Sequence, residues 1–402
     1  MWVPASAADI EAAATGGDLA ETSSFDAKEA LPTRGRNPDL ATAVAAMSTD
    51  GGVLLYGVAE DEHKRPTVPS PITLAGAAER VDQIVQTSIM EAPYIDVRGY
   101  PTDDDPSVGY LLVIVPQSAR APHQVTVGGD LRFYGRGATG KRRLTEGEIA
   151  RLYRRRDEWE QDREMLLTQA IAVAPFKPQP NLAFMHGFAR PVAADRAIWE
   201  RAVERSGGRD ALQRALTKTA AERRTQQDYS PSLHGGARWH RIGADAWRLS
   251  TVNERDPEPS LAPYVVNLTA NIDGRGHLFC GRAAERGDGL TGASKEEARL
   301  IIFESIIAGN LAGFLAFIGG LYHAAGYHGH VDLGVAVVGL RGGHSATIPQ
   351  HAFYDNPYNA PAYPRTERVA AAELDQPKLI ARRMLRHLFE ATTGRDQFDA
   401  LV

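Results

Sequence analysis

Acidic and basic side chains of the types that handle phosphate groups are concentrated near the N-terminus of this chain. Glu21, Asp26 and Lys28 lie within a short segment, and a further acid, Glu60, follows an apolar run. Mg²⁺ and Mn²⁺ prefer carboxylate oxygens as ligands, and such a metal can generate hydroxide for phosphodiester hydrolysis. Asp26 and Lys28 would share a face if this segment is a strand. The alternative is that the acids are solvated or form an ion pair with Lys28.

The surrounding pattern predicts a small domain of mixed helices and strands that would position these residues. Asn37-Pro38 is typical of a helix start, and the apolar residues that follow repeat at helical spacing until Asp50-Gly51-Gly52. Val53–Val58 is typical of a short buried strand. Glu60 comes just past its end, where a loop can turn the carboxylate inward. A capping box then begins a helix over Thr145–Arg156.

A basic segment precedes the last of these helices and continues into it. The aromatic residues Phe133, Tyr134 and Tyr153 are interleaved with its cations. This mixture predicts a local phosphate-binding surface for a nucleic acid. An alternative is a solvated helix face on which Asp157 and Glu158 are the partners. The cations are Arg132, Arg136, Lys141, Arg142, Arg143, Arg154 and Arg155.

Part of the same segment resembles a phosphate-binding loop. Gly135–Arg142 nearly fits G-x4-G-K-[S/T], but Arg142 stands where a hydroxyl would hold Mg²⁺. The next helix begins only at Thr145, so the loop does not continue directly into a helix N-terminus. We therefore expect no ATP binding here.

Length and composition indicate a folded protein of two or three domains. The chain has 402 residues, of which 43% are hydrophobic and 24% are charged, with a net charge of -5. This balance does not imply binding of bulk duplex nucleic acid through a globally basic surface, so any nucleic-acid binding needs locally concentrated positive charge. A single cysteine, Cys280, excludes a disulfide framework and a cysteine-rich zinc site. We expect a cytoplasmic protein without a signal peptide.

The rest of the sequence predicts further domains and, with the first, an α+β protein. Residues 157–240 are expected to form a helical connecting region, and 241–402 a C-terminal α/β domain of unrecognised type that senses a ligand or oligomerises. Its apolar run Leu300–Tyr322 contains Glu304, which a membrane-spanning helix would normally avoid. The run predicts a buried core or interface helix, with no membrane as partner.

Several short motifs of the N-terminal region occur in a fixed order. They are Glu21–Lys28 (ETSSFDAK), Ala45–Asp61 (AAMSTDGGVLLYGVAED), Ala121–Val125 (APHQV), Phe133–Gly137 (FYGRG) and Leu144–Leu152 (LTEGEIARL). This series resembles the Schlafen-type AlbA domain, a divergent AAA-type domain family, over about residues 15–156. The resemblance implies a domain ending near residue 156 that binds nucleic acid.

Animal members of that family are metal-dependent endoribonucleases that act on structured RNA such as tRNA. The resemblance implies that Glu21, Asp26 and Glu60 hold Mg²⁺ or Mn²⁺, that Lys28 contacts the scissile phosphate, and that the protein serves in bacterial antiphage defence. Asp26 and Glu60 exchange chain length relative to the commonest family residues, and Phe25 precedes the acid instead of following it. Asp61 is the substitute if Glu60 is not the third acid.

Two other functions fit the sequence. The protein could be a non-catalytic DNA- or RNA-binding transcriptional regulator whose C-terminal domain senses a ligand or dimerises. It could also be an assembly protein that forms a homo-oligomer through the helix in Leu300–Tyr322.

Overall fold

The computed structural model describes residues 4–129, 131–137, 140–177, 179–192, 197–222, 230–233, 237–253, 258–287, 299–347, 357–394 and 398–401. The chain divides into two compact units: residues 1–160 with 328–330, and residues 161–327 with 331–402. Both units contain helices and strands, which confirms the predicted α+β fold.

The first unit is built from short elements. In chain order they are α1 (Ala7–Thr15), β1 (Phe25–Lys28), α2 (Asn37–Met47), β2 (Gly52–Tyr56), β3 (Val58–Glu60), β4 (Pro66–Pro69), β5 (Ile72–Thr73), α3 (Ala77–Ser88), β6 (Ile89–Met90), β7 (Asp96–Pro101), β8 (Val108–Val115), β9 (Gln124–Val125), β10 (Arg132–Gly137), β11 (Gly140–Arg143) and α4 (Glu146–Ala172). The second half of α4 belongs to the second unit.

The main sheet of this unit has the strand order β1-β2-β8-β5, and β7 also pairs with β8. β1 runs parallel to β2, with Asp26 beside Leu54 and Lys28 beside Tyr56. β2 and β8 are buried on both faces, because α1 packs on one side of the sheet and α2 and α3 pack on the other. Asp26 and Lys28 therefore lie on the α2 side of the sheet.

A smaller antiparallel sheet has the order β11-β10-β9-β6. Its β10–β11 hairpin pairs Arg136 with Lys141 and Gly137 with Gly140. The segment that resembles a phosphate-binding loop is thus a hairpin, whose tip at residues 138–139 lies outside the described residues. This hairpin, and not a loop leading into a helix, positions the basic segment.

The second unit continues with longer strands and one long apolar helix. Its elements are β12 (Leu182–Pro191), α5 (Ile198–Arg205), α6 (Arg209–Glu222), β13 (Arg238–Ile242), β14 (Ala246–Ser250), β15 (Val266–Asn271), β16 (Gly276–Arg286), β17 (Leu300–Ile302), α7 (Glu304–Ala325), β18 (His330–Val338), β19 (Gly343–Ser345), β20 (Ala362–Ala370), α8 (Pro377–Thr393) and α9 (Phe398–Leu401).

The sheet of this unit follows the order β13-β14-β15-β16-β12-β18-β20, and β17 joins β16 to β19. α7 packs against the sheet and is enclosed by α5, α6 and α8. It is long and apolar enough to cross a membrane, but 89% of its most apolar window is buried inside the fold. α7 is therefore a core helix of the second unit.

Two expectations about this region differ from the structure. Residues 157–240 were predicted to be a helical connection, but β12 lies inside that range and in the middle of the second sheet. A strand buried on both faces shows a continuous apolar run, which periodicity cannot distinguish from a buried helix. Within the same range, positions 178, 193–196, 223–229 and 234–236 lie outside the described residues. The run Leu300–Tyr322 likewise begins with the strand β17, and helix α7 starts only at Glu304.

Candidate functional site

An open cavity of about 560 Å³ lies between β1, β2, α2 and the β10–β11 hairpin of the first unit. Three of the residues singled out from the sequence, Glu21, Asp26 and Lys28, line it together. The full lining is Glu21, Asp26, Lys28, Ala30, Pro32, Arg36, Asp39, Leu40, Ala43, Leu54, Tyr56, Arg136, Gly140 and Lys141. The structure thus brings Glu21, Asp26 and Lys28 together as ion pairs, the alternative that the sequence left open.

Asp26 is the buried anion of this cavity, with only 8% of its surface exposed. Its Oδ1 accepts a hydrogen bond from Lys28, and its Oδ2 accepts one from Arg136 at 3.0 Å. Burial opposes ionisation, but the hydrogen bonds from Lys28 and Glu21 and the nearby positive charges lower the pKa of Asp26. Asp26 is therefore held as a carboxylate.

Arg136 fixes the segment that precedes β1. Besides Asp26, its guanidinium donates to the carbonyl oxygens of Thr22 at 2.7 Å, Ser23 at 3.3 Å and Phe25 at 3.3 Å. Its side chain is 8% exposed. The structure thus differs from the prediction that Arg136 grips nucleic-acid phosphate, because its donors are already used within the fold.

Glu21 lies at the cavity opening, with 44% of its side chain exposed. Its Oε1 accepts from Lys28 Nζ at 3.2 Å. Partial burial, together with the hydrogen bond to Asp26 and the charge of Asp26, raises the pKa of Glu21. Lys28 is also partly buried, which acts in the opposite direction, but its bonds to both acids raise the pKa of its ammonium group. The two acids and Lys28 thus form one coupled group.

Two charged residues of the opening were missed in the sequence. Arg36 and Asp39 stand at the start of α2, where they pair at 3.3 Å. Lys141, which the sequence did single out, donates to the Thr42 hydroxyl at 2.8 Å and to the Asp39 carbonyl at 3.2 Å. The Asn37-Pro38 signal locates this turn in the sequence, but its position at the cavity comes from the tertiary fold. Arg36, Asp39 and Lys141 therefore join Arg136 as the charged side chains around Glu21, Asp26 and Lys28.

Glu60 does not lie in the cavity. It ends β3, which pairs with β4 in a hairpin, and it is exposed. Its neighbour Asp61 accepts hydrogen bonds from the backbone N–H groups of His63 and Arg65 and pairs with the Arg65 side chain at 2.9 Å. Glu60 therefore did not join the other two acids, and Asp61 stabilises the hairpin turn. The strand predicted over Val53–Val58 ends at Tyr56, and β3 begins at Val58 and carries Glu60, with Asp61 in the turn that follows.

The remaining predicted cations include two, Arg142 and Arg155, whose contacts within the fold are well defined. Arg142 forms a two-bond ion pair with Glu148, at 2.9 and 2.6 Å, that also closes the capping box at Thr145. Arg155 donates to the Thr49 carbonyl at 2.8 Å and stacks over the Trp159 ring. Both line a second cavity of about 320 Å³, with Arg151. Arg151 lies one helical turn before Arg155 on α4.

Arg132, Arg143 and Arg154 are exposed on the same unit. Near them, the rings of Phe133 and Tyr153 meet edge to face, with centroids 6.3 Å apart, and Tyr153 is 42% exposed. Aromatic and guanidinium groups that are accessible together suit stacking on unpaired bases and pairing with phosphates. Of the predicted basic surface, these residues retain the features that nucleic-acid binding requires.

The carboxylates of the first cavity limit the way in which a divalent cation could be bound there. Across the part of the chain that the structure describes, no group of three or more His, Cys, Asp or Glu side chains is arranged to hold a metal. Glu21 and Asp26 offer two adjoining carboxylates. Mg²⁺ is commonly held by one or two carboxylates plus the phosphate oxygens of a substrate. The residues present therefore fit a metal that arrives with a phosphate, and they do not fit a three-carboxylate cage.

No family model matches the chain, and no curated protein matches it. Among solved structures, a crystal structure of the DIP2311 protein from Corynebacterium diphtheriae matches with 14% sequence identity and a TM-score of 0.22. The match covers 52% of this chain and 42% of that protein, which is less than half of that protein's length. A similarity of this size carries no conclusion about fold or function.

Proposed function

We propose that the first unit is a Schlafen-like AlbA domain that binds RNA and cleaves it in a metal-dependent reaction. The observation that carries the proposal is the convergence of Glu21, Asp26 and Lys28 in one open cavity that is also lined by Arg36 and Lys141. Carboxylates next to cations, accessible to solvent, are the combination that phosphodiester hydrolysis requires.

In this proposal each side chain has a defined task. Glu21 and Asp26 would hold Mg²⁺ or Mn²⁺, which supplies a hydroxide nucleophile and charge neutralisation when bound. Lys28 contacts the scissile phosphate, since 47% of its side chain is exposed at the cavity. Lys141 and Arg36 attract the flanking phosphates, and the exposed Arg132, Arg143 and Arg154 hold the RNA farther along. Structured RNA such as tRNA is the proposed substrate, in the cytoplasm and in antiphage defence.

A cleavage assay with matched variants tests the proposal. The purified full chain is incubated with tRNA in Mn²⁺ or in EDTA, alongside Glu21→Gln and Glu60→Gln. We expect cleavage only with Mn²⁺, a rate at least about tenfold lower for Glu21→Gln, and an unchanged rate for Glu60→Gln. Glu21 is preferred to Asp26 as the test position, because Asp26 also holds Arg136 in place.

Three results would count against the proposal. Cleavage that persists in EDTA contradicts the metal requirement. A rate for Glu21→Gln that equals that of the unaltered protein removes Glu21 from the site. An equal loss in Glu60→Gln would show that the third acid acts after all, against the geometry of the β3–β4 hairpin.

A second candidate function is supported by the ion pairs of Asp26. Both of its oxygens already accept from cations, Oδ1 from Lys28 and Oδ2 from Arg136. Such an arrangement favours an RNA- or DNA-binding regulator that does not cleave. Its signature would be binding whose affinity falls steeply with salt concentration, with equal affinity for Glu21→Gln and no cleavage in Mn²⁺. The C-terminal unit would then sense a ligand or dimerise.

A further inference from the structure

The lining of the first cavity divides into a floor and a rim of different chemistry. The floor is formed by the buried side chains Leu40, Ala43, Leu54 and Tyr56, each at most 8% exposed, and the buried ion pair of Asp26 and Arg136 lies beside them. The rim consists of exposed charged side chains. Those of Lys28, Arg36, Asp39 and Lys141 are 47%, 76%, 55% and 37% exposed. A ligand that fills this cavity therefore needs an apolar, flat portion below and an anionic portion above.

From this division we propose that the cavity receives the base of one unpaired RNA nucleotide while the phosphodiester stays at the rim. The proposal rests on RNA being the ligand of this unit and adds which part of the RNA is recognised. A base inside a duplex is stacked and paired, so it cannot reach the floor without leaving the helix. Bulged, looped or frayed nucleotides reach it at the least cost.

The floor suits a base in size and in hydrogen bonding. Ligand cavities that bury most of a small molecule have volumes of about 300–1,000 Å³, and this one has about 560 Å³. Leu40 and Leu54 offer apolar surfaces to a ring, and Tyr56 adds a phenol that lines the cavity. Burial, with the charges of Asp26 and Asp39, raises the pKa of Tyr56. Its hydroxyl thus stays protonated and can donate to a carbonyl of the base.

The rim places the phosphodiester of the bound nucleotide beside Glu21, Asp26 and Lys28. Lys28 bonds to Glu21 and Asp26 and is also exposed, so a phosphodiester at the rim contacts the same three residues that the cleavage proposal uses. Base insertion would hold the backbone at that position. The cavity floor thus selects where along an RNA the phosphodiester meets the acids.

The test measures binding in EDTA, where cleavage does not occur. Three fluorescein-labelled probes are compared by anisotropy: a short blunt RNA duplex, the same duplex with one bulged uridine, and the same bulge made abasic. We expect the bulged uridine to bind at least about tenfold more tightly than the other two, as the loss of one base contact predicts. Lys28→Met should weaken all three.

Two cavity-filling variants and one control make the result specific. Ala43→Leu fills the floor, and Ala30→Leu narrows the opening from an exposed position that does not burden the core. Each should remove the preference for the bulged uridine and retain the affinity for the blunt duplex. Ala12→Leu, exposed on α1 and outside the cavity, should behave as the unaltered protein does.

The outcomes separate the two proposals. Equal affinity for all three probes, or a preference that survives Ala30→Leu, overturns base insertion and leaves RNA binding intact. No binding of any probe overturns both proposals together. A preference that is lost in Ala30→Leu but not in Ala12→Leu supports base insertion, whether or not cleavage is later found.

Discussion

Glu304 is a buried acid whose titration should be measurable in the stability of the second unit. It lies in the first turn of α7, is fully buried, and accepts from the backbone N–H of Ala346 at 3.2 Å. Burial raises the pKa of Glu304 from 4.5 to about 7, against the hydrogen bonds from Ser345, Thr392 and the backbone. These donors are neutral, so burial sets the direction of the shift.

The sign of the effect follows from proton uptake. Between pH 4.5 and about 7 the folded state keeps the proton on Glu304, whereas the unfolded state has released it. The free energy of unfolding therefore falls as pH rises through this interval. At about 1.4 kcal/mol per pH unit, the interval corresponds to a loss of about 3 kcal/mol by pH 8.

Glu304→Gln removes the titration and keeps the size of the side chain. We expect the variant and the unaltered protein to have similar stability at pH 5. At pH 8 the variant should be more stable by up to about 3 kcal/mol, or roughly 6–12 °C in melting temperature for a unit of this size. Urea unfolding from pH 5 to 8 is followed by tryptophan fluorescence, which the Trp199–Trp239 and Trp199–Trp247 contacts make sensitive to this unit.

The control is Glu204→Gln, at an exposed position of α5, which should leave the pH profile unchanged. The difference between Glu304→Gln and the unaltered protein isolates the group from other titrations. A difference that does not vary with pH would refute the reasoning, because it would mean that Glu304 is ionised in the folded state at all these pH values.

Three further predictions concern other buried contacts. Burial lowers the pKa of His186 from 6.5 to about 4, so the free energy of unfolding should fall as pH falls through that interval. His186→Phe should remove up to about 3 kcal/mol of this loss, as measured by urea unfolding. A variant that loses as much stability between pH 6.5 and 4 as the unaltered protein would contradict the prediction. Arg136→Met leaves Lys28 as the remaining cation bound to the buried Asp26 and should destabilise the first unit by about 3–5 kcal/mol in thermal unfolding. If Lys28→Met, at a half-exposed side chain, destabilises the unit equally, Arg136 has no special role in holding Asp26 in place. Gly281→Ala would push a methyl group into the Ala262 carbonyl and should lower the free energy of unfolding by at least about 1–3 kcal/mol. Stability equal to that of the unaltered protein in urea unfolding would contradict this prediction.

The parts of the site that could be predicted from the sequence are those fixed by neighbouring residues. The helix start at Asn37-Pro38 and the strand after Gly51-Gly52 follow from local signals. The two-residue spacing of Asp26 and Lys28 places them on one face as soon as β1 is a strand. Their convergence in a cavity then needs only that α2 covers this face.

The parts that could not be predicted depend on contacts between distant segments. Arg136 was grouped with surface cations because nothing in its own segment indicates that it pairs with a residue 110 positions away. Glu60 was expected near Asp26 because a loop after Val58 could turn inward. The hairpin with β4 instead continues the chain as a strand, and pairing across a hairpin is set by residues on both strands. Sequence periodicity carries neither kind of information.

The different environments of the two acids decide which of them reports on ligand binding. Arg136 and Lys28 keep Asp26 ionised, whereas burial and the Asp26 charge hold the proton on Glu21 to higher pH. Any cation that enters the cavity therefore competes with a proton at Glu21 but not at Asp26, and it competes with Lys28 at both acids. Metal binding in the proposed site should release a proton from Glu21, and the affinity of the protein for the metal should rise with pH.

If Glu21 and Asp26 bind only Lys28 and no metal, the affinity for Mn²⁺ should be the same with and without the Glu21 carboxylate. A titration of Mn²⁺ into the unaltered protein and into Glu21→Gln at two pH values thus separates a metal-binding acid pair from a permanent ion pair.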